Sequence, residues 1–371
     1  MRNHLINILR LIRSENVGPI TFIKLVEQYG SVEKALEILP ILTKKNNKNF
    51  KIYPKDKAIK EIEQAEALGV TLIPYTSDLY PPLLLKTEDF PPVLFVKGHT
   101  FLLKKSAIGI VGSRNASLLG KQNAFNLAQK LGENGFLVIS GMAKGIDAAA
   151  HEGSLTKGTL AFLGGGVDQI YPKENAQLYE KIAHQGALVS EFPLGSACVA
   201  SNFPRRNRLI AGTSKGILVV EASLNSGSLI TAQIALDQSR EVFAIPGNPG
   251  DARSKGTNFL IKQGAILTES VQDIINNIKK SQSLMENIPP FQHAGKGALE
   301  NEKCLNDTES LQKSRLYLKE MLSASAISID LLIRHSDLEA KYIFTVILEL
   351  ELNGHLERLP GNKVSLINPL P

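Results

Sequence analysis

Arg205, Arg206 and Arg208 crowd into the run Asn202-Phe203-Pro204-Arg205-Arg206-Asn207-Arg208, with an aromatic beside them and no acid among them. Guanidinium groups grip phosphates and stack on bases, and an aromatic ring offers a base a flat face. The composition therefore suits a polyanion whose bases can be reached. The competing reading is a solvated face at a helix N-terminus, which the cluster alone does not exclude.

Related groups recur where apolar runs end. Val111-Gly112-Ser113-Arg114-Asn115-Ala116-Ser117 combines a glycine, the hydroxyls of Ser113 and Ser117, and the Arg114 guanidinium, the parts of a phosphate cradle. Ser140-Gly141-Met142-Ala143-Lys144-Gly145-Ile146-Asp147 sets Lys144 between glycines ahead of a helix whose start Asp147 would cap. Asp147 and His151 share a face at i, i+4, a spacing open to base orientation or metal binding. No further ligand lies at suitable spacing, so a structural pair is expected. Gly164-Gly165-Gly166-Val167-Asp168 leads into Tyr171-Pro172-Lys173, where three glycines let a backbone or ligand approach closely and Lys173 adds a cation; the competing reading is a tight turn whose Tyr171 packs on the sheet. A carboxylate at Glu221-Ala222-Ser223 could orient the arginines, and Pro246-Gly247-Asn248-Pro249-Gly250 closes the series.

Several known chemistries are missing. There is no Gly-x-x-x-x-Gly-Lys-Ser/Thr loop, no Gly-x-Gly-x-x-Gly after the first of these runs, and no His-Glu-x-x-His. Gly212-Thr213-Ser214-Lys215-Gly216 fits the nucleophile-elbow spacing, but it precedes an apolar run where an elbow must follow one. Cations and donors without a matched nucleophile–base pair describe a binding surface rather than an active site, with no cofactor or metal.

The elements that must hold these residues follow from the apolar pattern. Strand-like runs at 107–111, 136–140, 159–163, 187–190, 217–221 and 241–245 alternate with helical runs such as 121–131 and 176–184. This predicts an α/β domain over 71–280 with a doubly wound parallel sheet, whose ligands bind outside the carboxyl ends of the strands. Prolines at 74, 81, 82, 91 and 92 mark edge strands and ordered loops. Residues 1–70 read as helices, with Gly18-Pro19 and Gly30 placed as in a helix-hairpin-helix module. The lysine-rich stretch from Lys44 to Lys60 reads as solvated surface or linker, and 281–312 as a polar linker. Residues 313–371 predict three helices and a hairpin around Pro360-Gly361-Asn362, a winged helix. Its third helix carries Glu339, Glu349 and Glu351, which favours protein contact over a DNA groove.

At 371 residues, 43% apolar and with a net charge of +6, the chain is long enough for several domains and mildly basic. Cys198 and Cys304 are its two cysteines and form no CxxC, so a reducing cytoplasm is expected. The N-terminal apolar run is broken by Arg10 and Arg13, unlike a signal peptide, and no run is long enough to span a membrane.

The runs Gly112-Ser113-Arg114, Ser140 to Asp147 with His151, Tyr171-Pro172-Lys173, Phe203 to Arg208, Ser226 to Ala232 and Phe243-Ala244-Ile245-Pro246-Gly247 resemble the DprA/Smf family, DNA-processing protein A. The resemblance implies an extended Rossmann-like domain between a helix-hairpin-helix (SAM-like) domain and a winged helix. It implies a non-enzymatic protein that binds single-stranded DNA, protects incoming strands in natural transformation, loads the RecA recombinase and dimerises through the sheet domain. By position, Arg114 and Lys173 would contact phosphate. Ser113, Ser117, Ser140, Gly141, Lys144, Gly165 and Gly166 would line the strand-exit pocket, and Phe203, Arg206, Asn207 and Arg208 would form its base-and-backbone edge. Many relatives carry a lysine where this chain has Ala200, so the groove is expected to lean more on Arg206 and Arg208. Gly212-Thr213-Ser214 replaces a common Gly-Leu-Ser. A nucleotide or nucleoside-monophosphate hydrolase on a related sheet, and an interaction module, remain as alternatives.

Overall fold

The computed structural model describes residues 2–44, 51–286, 307–323, 325–336, 338–359 and 362–367. Expectations for Lys45 and Lys48, for the linker centre at 287–306 with Cys304, for Asp337 and for Pro360-Gly361 lie outside the described residues. The chain forms two compact units, Met1–Ala58 with Phe291–Pro371, and Ile59–Pro290.

The smaller unit begins with α1 (Arg2–Ile12), α2 (Pro19–Tyr29) and α3 (Val32–Lys44). Gly18 caps α2, Pro19 opens it, and Gly30 ends it in the left-handed region (φ 81°) with its N–H on Val26 O. Ile8, Leu9, Leu11, Phe22, Leu25 and Leu39 supply its buried side chains. A fourth helix, α4 (Lys55–Ala67), takes up the end of the lysine-rich stretch, and Lys55, Lys57 and Lys60 are exposed on it.

The larger unit is built on a nine-stranded sheet. Its strands are β1 (Val70–Pro74), β2 (Val93–Gly98), β3 (Ala107–Val111), β4 (Leu137–Ser140), β5 (Thr159–Phe162), β6 (Ala187–Ser190), β7 (Gly216–Val219), β8 (Glu241–Ala244) and β9 (Ile266–Leu267), in the order β1-β2-β6-β5-β4-β3-β7-β8-β9. The pairings β1–β2 and β2–β6 are antiparallel and the rest are parallel. The proline-flanked runs thus form the antiparallel edge.

Between the strands lie α5 (Leu118–Glu133), α6 (Ile146–Ser154), α7 (Ala176–Gln185), α8 (Asn202–Thr213), α9 (Gly227–Asp237), α10 (Lys255–Lys262) and α11 (Val271–Glu286). Successive strand residues point to opposite faces, so both faces need a cover. Ile108, Ile110, Val138 and Leu218 pack with side chains of α5, α6 and α11. Ala107, Val111, Ile139, Ile217 and Val219 pack with side chains of α8 and α9 on the other face. The chain winds one way from β3 through β4 to β5 and the other way through β7 to β9, so the switch point falls between β3 and β7.

The smaller unit is completed by α12 (Asp307–Met321), β10 (Ile327–Ser328), α13 (Ile329–Arg334), α14 (Ala340–Leu352), β11 (Leu356–Leu359) and β12 (Lys363–Leu366). The strands pair as β10-β12-β11 over a core of Leu318, Leu332, Ile343, Val346, Ile347 and Val364, a winged helix. Helix covers both flanks of the expected linker: α11 runs on to Glu286 and α12 starts at Asp307.

Candidate nucleic-acid interface

The exits of β3, β4 and β5 converge on one aromatic ring. Phe203, on the first turn of α8, has the Arg114 guanidinium 4.8 Å and the Arg206 guanidinium 5.9 Å from its ring centroid. Tyr171 lies against it, with ring centroids 5.8 Å apart at 32°. The positive edges and negative faces of such a stack hold each member in place while leaving outer faces open. Arg114 is exposed, and Tyr171 is 46% exposed, against the alternative reading in which it packs on the sheet. A Cβ at Gly164 would stand 3.1 Å from Phe203 Cδ1, so the glycine lets the ring lie close on the β5 exit.

Arg206 forms the floor instead of a solvated edge. Its side chain is buried and Nη1 donates to Phe162 O at 3.1 Å. A Cβ on Gly141 would fall 1.5 Å from that nitrogen, so only glycine leaves the guanidinium its seat. Burial lowers the Arg206 pKa while Asp147 nearby pulls it back up. Burial raises the pKa of Asp147, against Arg206 and the N–H groups of Ala143 and Gly141 that its carboxylate accepts at 3.3 and 3.1 Å. These bonds tie the β4 exit loop to the first turn of α6, whose cap position is Gly145 rather than the expected Asp147, and His151 meets Thr159 rather than pairing with Asp147.

His151 is sealed beneath. Thr159 Oγ1 donates to Val138 O, so the 2.8 Å contact to His151 Nδ1 has the ring donating and Nε2 bare. Among the described residues Nε2 has no hydrogen-bond partner, and burial first, then Arg206, pushes the pKa down to about 3.

Around the rim, Lys144 pairs with Glu174, and both are exposed. Lys173 is exposed next to that pair. Asn175 Nδ2 donates to Met142 O at 2.9 Å, joining the β4 and β5 exit loops. Arg114 and Lys173 have no carboxylate partner among the described residues.

Other expected residues are engaged internally. Arg208 donates to Asp89 O at 2.6 Å and pairs with the buried carboxylate of Glu191, which also lies 3.8 Å from Arg205 Nε. Glu191, then, is the carboxylate that orients these arginines, and no signal in its own neighbourhood marks it. Asn207 reaches Gly227 O at 3.5 Å. Ser140 is buried and donates to Ile110 O, while Gly165 and Gly166 are packed against the 193–198 loop. Ala200 is exposed just before α8.

The switch-point crevice is filled from within. β7 ends at Val219, not at 221 as the apolar run implies, and Glu221 turns to the start of α5. Its carboxylate accepts from Ser117 N at 2.9 Å and from Ser117 Oγ at 2.5 Å, and Ser117 caps α5 by accepting from Gly120 N. A helix N-terminus attracts anions, and here the chain's own carboxylate holds that place. The exposed cations lie one strand over, at β3 to β5, beside an aromatic stack. This arrangement can hold phosphates and stack a base.

Comparison with known proteins agrees across the chain. The DNA recombination-mediator protein A family matches residues 71–279, the DprA-like N-terminal HHH domain 2–64, and the DprA winged helix domain 307–362. Protein Smf of Escherichia coli is 37% identical over 328 residues, covering 88% of this chain and 85% of that protein. DNA processing protein DprA of Bacillus subtilis is 43% identical over 213 residues, 57% of this chain and 72% of that one. The X-ray structure of DNA processing protein A from Streptococcus pneumoniae superposes with a TM-score of 0.65 at 34% identity, covering 74% of this chain and 98% of that one. A Helicobacter pylori structure, described as giving the single-stranded DNA binding mode of DNA processing protein A, has a TM-score of 0.52 at 30% identity, covering 57% and 96%. With a family model matching more than half of the chain and a relative of this extent, the chain belongs to the DprA/Smf family of DNA-processing proteins.

Proposed function

We propose that the chain binds single-stranded DNA across the exits of β3, β4 and β5, protects incoming strands during natural transformation in the cytoplasm, and delivers them to the RecA recombinase without turnover. The observation that carries this reading is the Arg114–Phe203–Tyr171 stack, open on its outer side and flanked by Lys173 and Lys144. Stacking needs an unpaired base, which a single strand offers and a duplex hides. Arg114, Lys173, Lys144 and Ser113 take phosphates. Phe203 and Tyr171 take a base. Ser117, Ser140, Gly141, Gly165, Gly166, Arg206, Asn207 and Arg208 give the groove its floor and walls. A dimer through the sheet domain would set two such grooves on one strand, and the Helicobacter pylori relative's described single-strand binding supports the choice of ligand.

The test is binding of one sequence as single strand and as duplex over a range of salt. The reading expects preference for the single strand and affinity that falls steadily with salt. Equal affinity for both forms, or binding indifferent to salt, would refute it.

A further inference from the structure

In a winged helix that reads DNA, one helix lies in the major groove and offers donors to base edges. The corresponding helix, α14, is apolar on two faces. Ile343, Val346 and Ile347 enter the winged-helix core, while Leu348 and Leu352 are buried outside that core. A helix apolar on both sides is covered on both sides.

The N-terminal helices lie on its other side: α3 packs against α14, and side chains of α2 reach it. Lys24 Nζ lies 5.4 Å from the centroid of Phe344, and Gln28 Nε2 donates to Thr345 Oγ1 at 3.1 Å. Thr21 Oγ1 donates to Glu351 Oε1 at 3.1 Å, and Asn16 Nδ2 to Leu352 O at 2.8 Å. Thr21, Lys24 and Gln28 fall at i, i+3 and i+7, one stripe of α2, with Asn16 and Thr21 at the C-terminal end of α14 and Lys24 and Gln28 nearer its start. The N-terminal end of α2 therefore meets the C-terminal end of α14, a favourable pairing of helix dipoles. Glu351, held also by Arg358 Nε at 3.0 Å, places a carboxylate at the first turn of α2, where a helix-hairpin-helix module would hold a phosphate. Burial, with Glu349 adding to it, pushes the Tyr29 phenol up to about 12.

We propose that α14 is the docking helix of the N-terminal helical domain, so that neither the recognition helix of the winged helix nor the first turn of α2 engages DNA. The two end domains of the chain then work as one body, and this holds whatever the sheet domain binds.

Hydrogen exchange on the full chain tests it. Glu351→Lys should speed exchange at residues 19–25, and Thr21→Asp at 344–352, each by roughly tenfold or more, the scale of one charge-assisted hydrogen bond. If each variant loosens only its own domain, the proposal fails. With the wild-type chain, adding a random-sequence duplex should leave exchange at 16–25 and 344–352 unchanged, and a DNA-dependent change at either segment would also overturn it.

Discussion

Replacing Gly141 by alanine tests whether Arg206 is a fixed floor or a mobile arm. The added Cβ would lie 1.5 Å from Arg206 Nη1 and 2.2 Å from its Cζ, far inside contact distance. Arg206 is held in place, because it is buried and donates to Phe162 O at 3.1 Å. Overpacking costs about 1–3 kcal/mol and a lost hydrogen bond from a charged group about 1.5–3 kcal/mol, together roughly 2.5–6 kcal/mol. Displacing the guanidinium also leaves buried Asp147 without its nearby cation. Native-state hydrogen exchange at 137–140 reads this directly, and β4 amides should exchange on the order of 10²–10⁴ times faster. Adding Arg206→Met and Asp147→Asn removes both the clash and the orphaned charge, and should recover most of the loss. Gly141→Ala exchanging within about tenfold of wild type would refute the reasoning, since one such step is only about 1.4 kcal/mol.

His151 makes the fold acid-sensitive. Its pKa is lowered in the fold from 6.5 to about 3, so its contribution is complete above pH 6.5 and is lost as pH falls toward 3. The slope is about 1.4 kcal/mol per pH unit, roughly 2 kcal/mol by pH 5, and His151→Gln should flatten urea-melt stability between pH 7 and 5. Asp147, whose pKa is raised, favours the fold at low pH and loses that contribution as pH rises above 3.8, so it opposes His151 and cannot produce this slope. Arg208→Ala strips the partner from the buried Glu191 carboxylate and should cost about 3–5 kcal/mol in a urea melt, with the salt slope of single-strand binding unchanged.

The sheet was legible because its strands are short apolar runs closed by glycine turns, and burial on both faces demands such runs. The winged helix was legible as three helical runs followed by a hairpin, and Ile343, Val346 and Ile347 of its third helix enter the core. The two-residue β9 gave no comparable run. Within the site, Arg114, Lys144 and Lys173 stand at strand exits as their glycine-flanked turns imply. Arg206 did not announce its burial, since an arginine in a basic cluster reads as solvated and its seat is made by Gly141, far away in sequence. Glu191 and Glu221 were opaque for a related reason. Which cation or helix end a carboxylate serves is set by strand order, and Glu221 reaches Ser117 only because β7 lies beside β3. Nothing in the sequence separates a Tyr171 packed on the sheet from an exposed one, because the exposure of an aromatic depends on the ring it meets, here Phe203.

The salt dependence of single-strand binding by Arg114→Ala with Lys173→Ala tests the central claim most directly. Each phosphate contact contributes about 0.7 to the slope of log affinity against log salt for a single strand. The double variant should bind more weakly with a slope shallower by about 1.4, while exchange at 137–140 is unchanged. Wild-type affinity and an unchanged slope would contradict it.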